Sequence, residues 1–224
     1  MPASNRPGVT RQSMIDAALR LLDEVGLDGL SVRRLATELG VQSPALYWHI
    51  RGKQELLDGM ADAIVTAAGM GPPADGEPWQ DWLARRSRAY RQSLLAHRDG
   101  ARIVAGAAWL SPATIRMFNA ELAGLVKQGF PPSLGLRTIS TLSQYINGFV
   151  LLEQAKPREP SADTADRLTA LTELFDGDSS APILAAIREG ARTTGDEAFE
   201  HGLQAFIRGT AAALADRAED DHVP

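Results

Sequence analysis

The stretch Ser31–Lys53, SVRRLATELGVQSPALYWHIRGK, decides the fold, because it reads as two short helices joined by a tight turn. Leu35, Ala36 and Leu39 fall at i, i+1 and i+4, one face of a short helix. Gly40 supplies the left-handed residue that ends it, and Val41 can fold back onto that helix. Ser43 restarts the chain as a cap and Pro44 opens the second helix, where a missing N–H is lost at no cost. Leu46 and Ile50 then face inward. A small Ala36, a Gly40 and a Leu46 at this spacing fit a helix-turn-helix, in which two helices cross closely.

The outward face offers Ser43, Ala45, Tyr47, Trp48 and His49, flanked by Arg33 and Lys53. Polar and aromatic side chains between two cations suit insertion into a DNA major groove. A surface helix pair would show the same glycine corner, but clustered exposed aromatics weigh against it.

Around this stretch the chain reads as helix throughout, with no convincing period-2 strand: an all-α fold. Residues 1–9 form a polar arm with two prolines, in which Arg6, with Arg11 just beyond, reads as solvated. Thr10 caps a first helix whose stripe is Ile15, Ala18, Leu19 and Leu22; Gly26 ends it and Gly29 marks the corner. These elements make a three-helix DNA-binding module over residues 1–55, and 56–224 form a helical body, which the family resemblance given below implies is a ligand-binding and dimerisation domain.

A fourth helix, carrying Leu57, Met60, Ala61, Ile64 and Ala68, joins the two without a linker and can transmit a push. The loop GMGPPADGEP follows, and then helices over 79–96, 101–110, 112–128 and 134–153. Trp79, Leu83, Tyr90 and Leu94, with Trp82 and Arg86 alongside, stripe the first, and Ser111–Pro112 starts the third, with Ile115, Phe118, Leu122 and Leu125 as its stripe. KPREPSADTAD reads as a polar loop, 165–175 and 182–193 as short helices, and 196–217 as the last long one before an acidic tail. Gly202 and Gly209 inside that helix, with Phe206 beside them and Gly148 in the helix before the polar loop, point to close approach of another helix. Intrachain packing would account for them, and so would a two-fold dimer contact, which a palindromic operator requires.

The 224 residues are 44% hydrophobic and 23% charged, ordinary for a soluble globular protein and enough for a sizeable core. No cysteine is present, so disulfides and thiolate chemistry are excluded. No apolar run approaches the ~20 residues of a membrane span and no signal-peptide core opens the chain, which places it in the cytoplasm. The net charge of −5 is unevenly spread: residues 1–55 hold seven Lys/Arg against six Asp/Glu, so the deficit lies in the body. A near-neutral head on an acidic body fits a small DNA-reading module, not a non-specific coat.

No catalytic motif is present: no G-x-S-x-G, H-E-x-x-H or phosphate-loop lysine, and His49, His97, His201 and His222 are too scattered for a helical metal pair. No enzyme activity, cofactor or metal is implied. A helical carrier of small molecules remains the alternative, and retention on the chain's own promoter DNA separates the two.

The segment TRQSMIDAALRLLDEVGLDGLSVRRLATELGVQSPALYWHIRGKQELLDGMADAI resembles the N-terminal domain of the TetR family of bacterial repressors. LYWHI-x-x-K is close to the tetracycline-repressor subgroup, and the likeness continues through EPWQDWLARRSRAYRQSLLAHRDGAR and GFVLLEQ. The resemblance implies an all-α homodimer that binds a DNA operator and whose body takes a small-molecule inducer. It implies DNA contacts on Arg33, Pro44, Tyr47, Trp48, His49 and Lys53. Ser43 and Ala45 stand where tetracycline repressors have glutamine and threonine, so a different operator is expected. An approximate alignment puts Gly69, Arg86, Val104, Ala107, Gln144 and Leu152 at the tetracycline and magnesium contacts. Val104 replaces a metal-binding histidine, which argues against a tetracycline–magnesium inducer. Trp82, Arg86, Tyr90, Val104, Trp109, Phe118, Gln144 and Asn147 are the expected ligand-binding residues. A buried Arg86 would favour ligands with a carboxylate, phenolate or carbonyl.

Overall fold

The computed structural model describes residues 9–155, 172–175, 181–189 and 192–220. Their elements are α1 (Arg11–Gly29), α2 (Val32–Glu38), α3 (Ser43–Leu46), α4 (Lys53–Ala67), α5 (Trp79–Leu95), α6 (Gly100–Ala105), α7 (Pro112–Lys127), α8 (Pro132–Ala155), α9 (Pro182–Arg188) and α10 (Asp196–Asp220). Among the described residues there is no strand, and no helix is long and apolar enough to cross a membrane. The arm, the polar loop and most of 165–175 lie outside the described residues.

Local chemistry sets several boundaries as the sequence dictates. Thr10 and Ser13 close a reciprocal capping box, Thr10 Oγ1 accepting from the Ser13 N–H at 3.1 Å and Ser13 Oγ from the Thr10 N–H at 2.9 Å. Met14, Ile15, Ala18, Leu21 and Leu22 form the buried stripe of α1, and Gly26 at φ 71° kinks it. After α2, Gly40 at φ 66° donates to Thr37 O at 3.1 Å and Val41 donates to Ala36 O at 3.0 Å. This pair of reversed bonds is a Schellman stop, and only a residue at ease with positive φ closes it cheaply. Ser111 Oγ accepts from the Thr114 N–H at 3.2 Å, with Pro112 opening α7.

Three expected boundaries are corrected here. The second helix of the motif does not run to Ile50: α3 spans four residues with Gln42 at its cap, Ser43 first and Pro44 second. The chain continues to Ile50 through tightened turns, Tyr47 N–H to Pro44 O at 3.3 Å and His49 N–H to Leu46 O at 2.9 Å. Only Leu46 and Ile50 are buried here, so no apolar stripe rewards a longer α-helix. Likewise α6 stops at Ala105 rather than near Trp109, because Gly106 caps it and the next residues turn toward α7. Helix α9 similarly ends at Arg188.

Helix α4 lies between head and body, packing on α1 on one side and on α5, α6 and α7 on the other. A second seam joins the end of α1 to the α5–α6 corner. Asp99, held at φ 58°, accepts the Leu27 N–H at 2.8 Å, and Asp23 takes the Arg98 N–H at 2.9 Å. Arg102 reaches Asp28 at 3.2 Å. In the body, α5 and α8 pack face to face, and Arg91 pins them by pairing Glu153 at 2.6 Å on α8 and Asp196 at 2.7 Å on α10.

Candidate DNA interface and ligand cavity

The head presents its aromatic groups outward. Tyr47 is 56% and Trp48 88% exposed, and His49, Pro44, Arg33 and Lys53 are exposed beside them, while Ser43 and Ala45 are half-buried. A tryptophan left in water on a well-packed module is a site feature, since burying it would stabilise the chain by about 1.5–3 kcal/mol. Lys53 opens α4, at the positive end of the helix dipole. A cation gains nothing there from its own helix, and no side chain caps this helix end.

The body encloses a cavity of about 190 Å³. Its lining comes from α4 and the turn after it (Val65, Ala68, Met70), α5 (Arg86, Tyr90), α6 (Val104), Leu110, α7 (Phe118) and α8 (Ser143, Asn147). The wall is apolar apart from a few polar groups, the usual constitution of a small-molecule site. Tyr90 donates its hydroxyl proton to Asn147 Oδ1 at 3.2 Å, and burial raises the phenol's pKa. Arg86 is buried and donates through Nε to Glu121 Oε2 at 2.9 Å, while its guanidinium carbon lies 5.9 Å from the Phe118 ring centre. Glu121 Oε1 also accepts the Gly71 N–H at 3.3 Å. Burial pushes the Glu121 carboxyl up from its ordinary range, against the pull of Arg86's charge and hydrogen bond and of the Gly71 amide. Outside the cavity, α7 and α8 frame an apolar groove of about 390 Å³ that shares Phe118 and Ser143 with it.

Five of the eight expected ligand residues therefore meet in one place: Arg86, Tyr90, Val104, Phe118 and Asn147. The other three are corrected. Trp82 is fully buried in the core, its Nε1–H donating to Gly71 O at 3.0 Å, so it supports the loop and does not wall the cavity. Trp109 is 78% exposed because α6 ends before it. Gln144 is exposed on α8, whose cavity face is instead Ser143 and Asn147, four residues apart. The anion expected beside Arg86 is already there as Glu121. Glu121 had a readable signal, a carboxylate set among Phe118, Leu122 and Leu125 on the stripe of α7. Among the described residues no carboxylate or imidazole lines the cavity, and Glu121 is committed to Arg86 and Gly71.

The glycines divide. A side chain at Gly202 would fall on the Tyr145 hydroxyl, which donates to Phe199 O at 3.1 Å, so packing within the chain already requires a glycine there. Gly148 and Gly209 face open space, and Gly209 and Phe206 line a shallow apolar groove with Leu134 between α8 and α10.

Comparison with known proteins bears on both sites. Residues 14–60 match the family described as bacterial regulatory proteins, tetR family, and residues 72–214 match the tetracyclin repressor-like C-terminal domain. The chain is 37% identical over 209 residues to the class D tetracycline repressor protein of Escherichia coli, covering 90% of this chain and 88% of that one. Among solved structures it resembles the Streptomyces coelicolor TetR family protein ActR in complex with actinorhodin, at 28% identity and TM-score 0.80, covering 92% and 99%. It also resembles a variant of TetR from Acinetobacter baumannii AYE in complex with minocycline, at 31% identity and TM-score 0.70, with the same coverage. These relatives are transcriptional regulators. With a helix-turn-helix head and a cavity-bearing helical body matched along nearly its whole length, the chain belongs to the TetR family of bacterial regulatory proteins and is a ligand-responsive, DNA-binding repressor.

Proposed function

We propose that residues 1–55 bind a two-fold-symmetric operator as part of a homodimer, and that residues 56–224 take up an apolar inducer other than a tetracycline–magnesium complex. The observation that carries the coupling is the double attachment of α4. This helix begins at Lys53 and ends on the cavity wall at Val65 and Ala68. Between them, Asp58 Oδ1 accepts the Ala108 N–H at 2.9 Å, and Asp62 Oδ1 accepts the Ser111 N–H at 2.9 Å and the Thr114 hydroxyl at 2.6 Å. Ligand that displaces Val104, Leu110 or Phe118 therefore pulls on α4 through the α6–α7 turn and re-aims the head. Two reading heads must match groove positions ~34–36 Å apart, so a small rotation of each suffices for release. To empty an operator the ligand must bind the released geometry more tightly, and ~100-fold is worth about 2.7 kcal/mol.

Asp62→Ala tests the coupling. It removes an acceptor from the α7 end while leaving the head's outward face and the cavity lining intact. Operator affinity, read by fluorescence anisotropy, is expected to hold within about threefold, while the ligand concentration for half-release rises about tenfold or more, roughly 1.4 kcal/mol of lost coupling. Half-release at the wild-type concentration would mean that the signal does not pass through Asp62.

The homodimer is supported by the open apolar groove between α8 and α10, which Leu134, Phe206 and Gly209 line. Gly209→Leu is the informative change, because in the isolated chain a Cβ added there meets nothing within 4 Å. Removing a mid-helix glycine should leave the fold intact or stabilise it by up to ~1 kcal/mol. In sedimentation, the same change is expected to weaken the dimer by the 1–3 kcal/mol typical of overpacking. A dimer of wild-type strength would locate the interface off this face.

A further inference from the structure

We propose that the cavity selects an uncharged ligand that presents one hydrogen-bond acceptor, a carbonyl oxygen on an aromatic ring system, to Nη1 of Arg86, and that Glu121 excludes anions. The inference rests on reading the cavity as the inducer site and names the ligand class it takes.

Nη1 of Arg86 is buried and has no hydrogen-bond partner among the described residues, although Nε of the same guanidinium is paired. The Arg86 side chain is only 7% exposed and lines the cavity. A buried donor left unpaired is a standing cost to the fold, greater when it belongs to a charged group, so an acceptor that reaches Nη1 from the cavity recovers that loss. The charge of Arg86 is a separate matter. Glu121, whose side chain has no exposed surface, already neutralises it at 2.9 Å. A ligand carboxylate would bring a second buried anion to a pair that needs one, and among the described residues no further cation lines the cavity. Arg86 thus offers geometry without offering net charge. Asn147 can supply a second donor, because its Oδ1 is occupied by the Tyr90 hydroxyl and its amide N–H groups remain for a ligand oxygen. The remaining wall, including Val65, Met70 and Val104, admits only apolar surface. At about 190 Å³ the cavity suits a bicyclic aromatic. Phe118, shared with the neighbouring groove, is the wall that a longer ring system would displace.

A matched pair of probes tests this directly by calorimetric titration of the DNA-free protein at pH 7. 2-Acetonaphthone and 2-naphthoate share the ring and the carbonyl and differ by a methyl against a charged oxygen, and naphthalene lacks the acceptor. Wild type is expected to bind the ketone at least about tenfold more tightly than either of the others. In Glu121→Gln the Gly71 amide keeps its acceptor while Arg86 loses its counter-charge, and the preference shifts toward naphthoate by about tenfold or more. In Arg86→Met the ketone loses its advantage over naphthalene, and the two bind within about twofold of each other. The wild-type comparison stands without either variant if they fold poorly. Naphthoate bound as tightly as the ketone by wild type, or no binding of the ketone at millimolar concentration, overturns the proposal. A ketone that binds as expected yet leaves an operator complex intact would instead count against the inducer reading, and the two failures stay distinct.

Discussion

Glu121→Ala is expected to lower the unfolding free energy by about 3–5 kcal/mol, the cost of leaving one partner of a buried ion pair without the other. The stranded group is Arg86, 7% exposed, and the Gly71 amide loses its acceptor as well. Against a typical domain stability of ~5–15 kcal/mol this is a large fraction, and a urea titration resolves it easily. Arg86→Met strands the carboxylate instead and behaves differently with pH. Burial already holds Glu121 above its ordinary value of 4.5, so the folded chain keeps that proton more tightly than the unfolded chain does. The associated stability is present in full below the unfolded value and is lost as pH rises through the folded one. Without Arg86 the shift grows, so the Arg86→Met deficit should be largest at neutral pH and shrink toward pH 4, whereas the Glu121→Ala deficit has no such recovery. The double change Arg86→Met with Glu121→Gln keeps the Gly71 acceptor and removes both charges. It should fall well short of the sum of the single costs. Additive losses would show that Arg86 and Glu121 are not acting as a pair.

What can be read from the sequence is local. Gly40, Thr10 and the Ser111–Pro112 start each act within about five residues, and each produces the predicted boundary. The stripe of α5 is legible too: Trp79, Trp82, Leu83, Arg86, Tyr90 and Leu94 are all buried. A stripe says that a residue faces inward, not whether it meets packed atoms or a hole. Trp82 and Tyr90 share the stripe, yet one closes on the Gly71 carbonyl and the other on the cavity. Gly202 shows the same limit, since its partner Tyr145 lies on α8 and no spacing within α10 announces it. Trp109 departs from its expected place because Gly106, three residues earlier, cuts α6 short and turns the indole outward. Arg86 sits where the stripe puts it, but its partner comes from a different helix, so the sign of its ligand preference is not available from α5 alone.

Tyr47→Ala and Lys53→Ala should each cripple operator binding, and by distinguishable routes. On the proposed two-fold operator every side chain acts twice. A lost base or sugar contact costs about 1–3 kcal/mol, so Tyr47→Ala is expected to cost about 2–6 kcal/mol in all, or roughly 30-fold to 10⁴-fold in Kd. Its ring is 56% exposed and supports no core packing, so the fold should be unaffected. Lys53→Ala is expected to remove one phosphate contact per half-site. Because each contact contributes about 0.9 to the log–log salt slope, the slope should flatten by roughly 1.8. Loss of positive charge anywhere on the protein would weaken binding slightly at low salt, so a control of equal charge is needed. Arg116, exposed on α7 in the body, provides it: Arg116→Ala changes net charge identically but should leave the slope unchanged. Fluorescence anisotropy on a selected operator, at several salt concentrations, measures all three variants. The position of Lys53 makes the test sharper, since it opens the helix whose other end, at Val65, lines the cavity. Equal slopes for Lys53→Ala and Arg116→Ala would detach α4 from the DNA backbone and, with it, the route by which ligand reaches the operator.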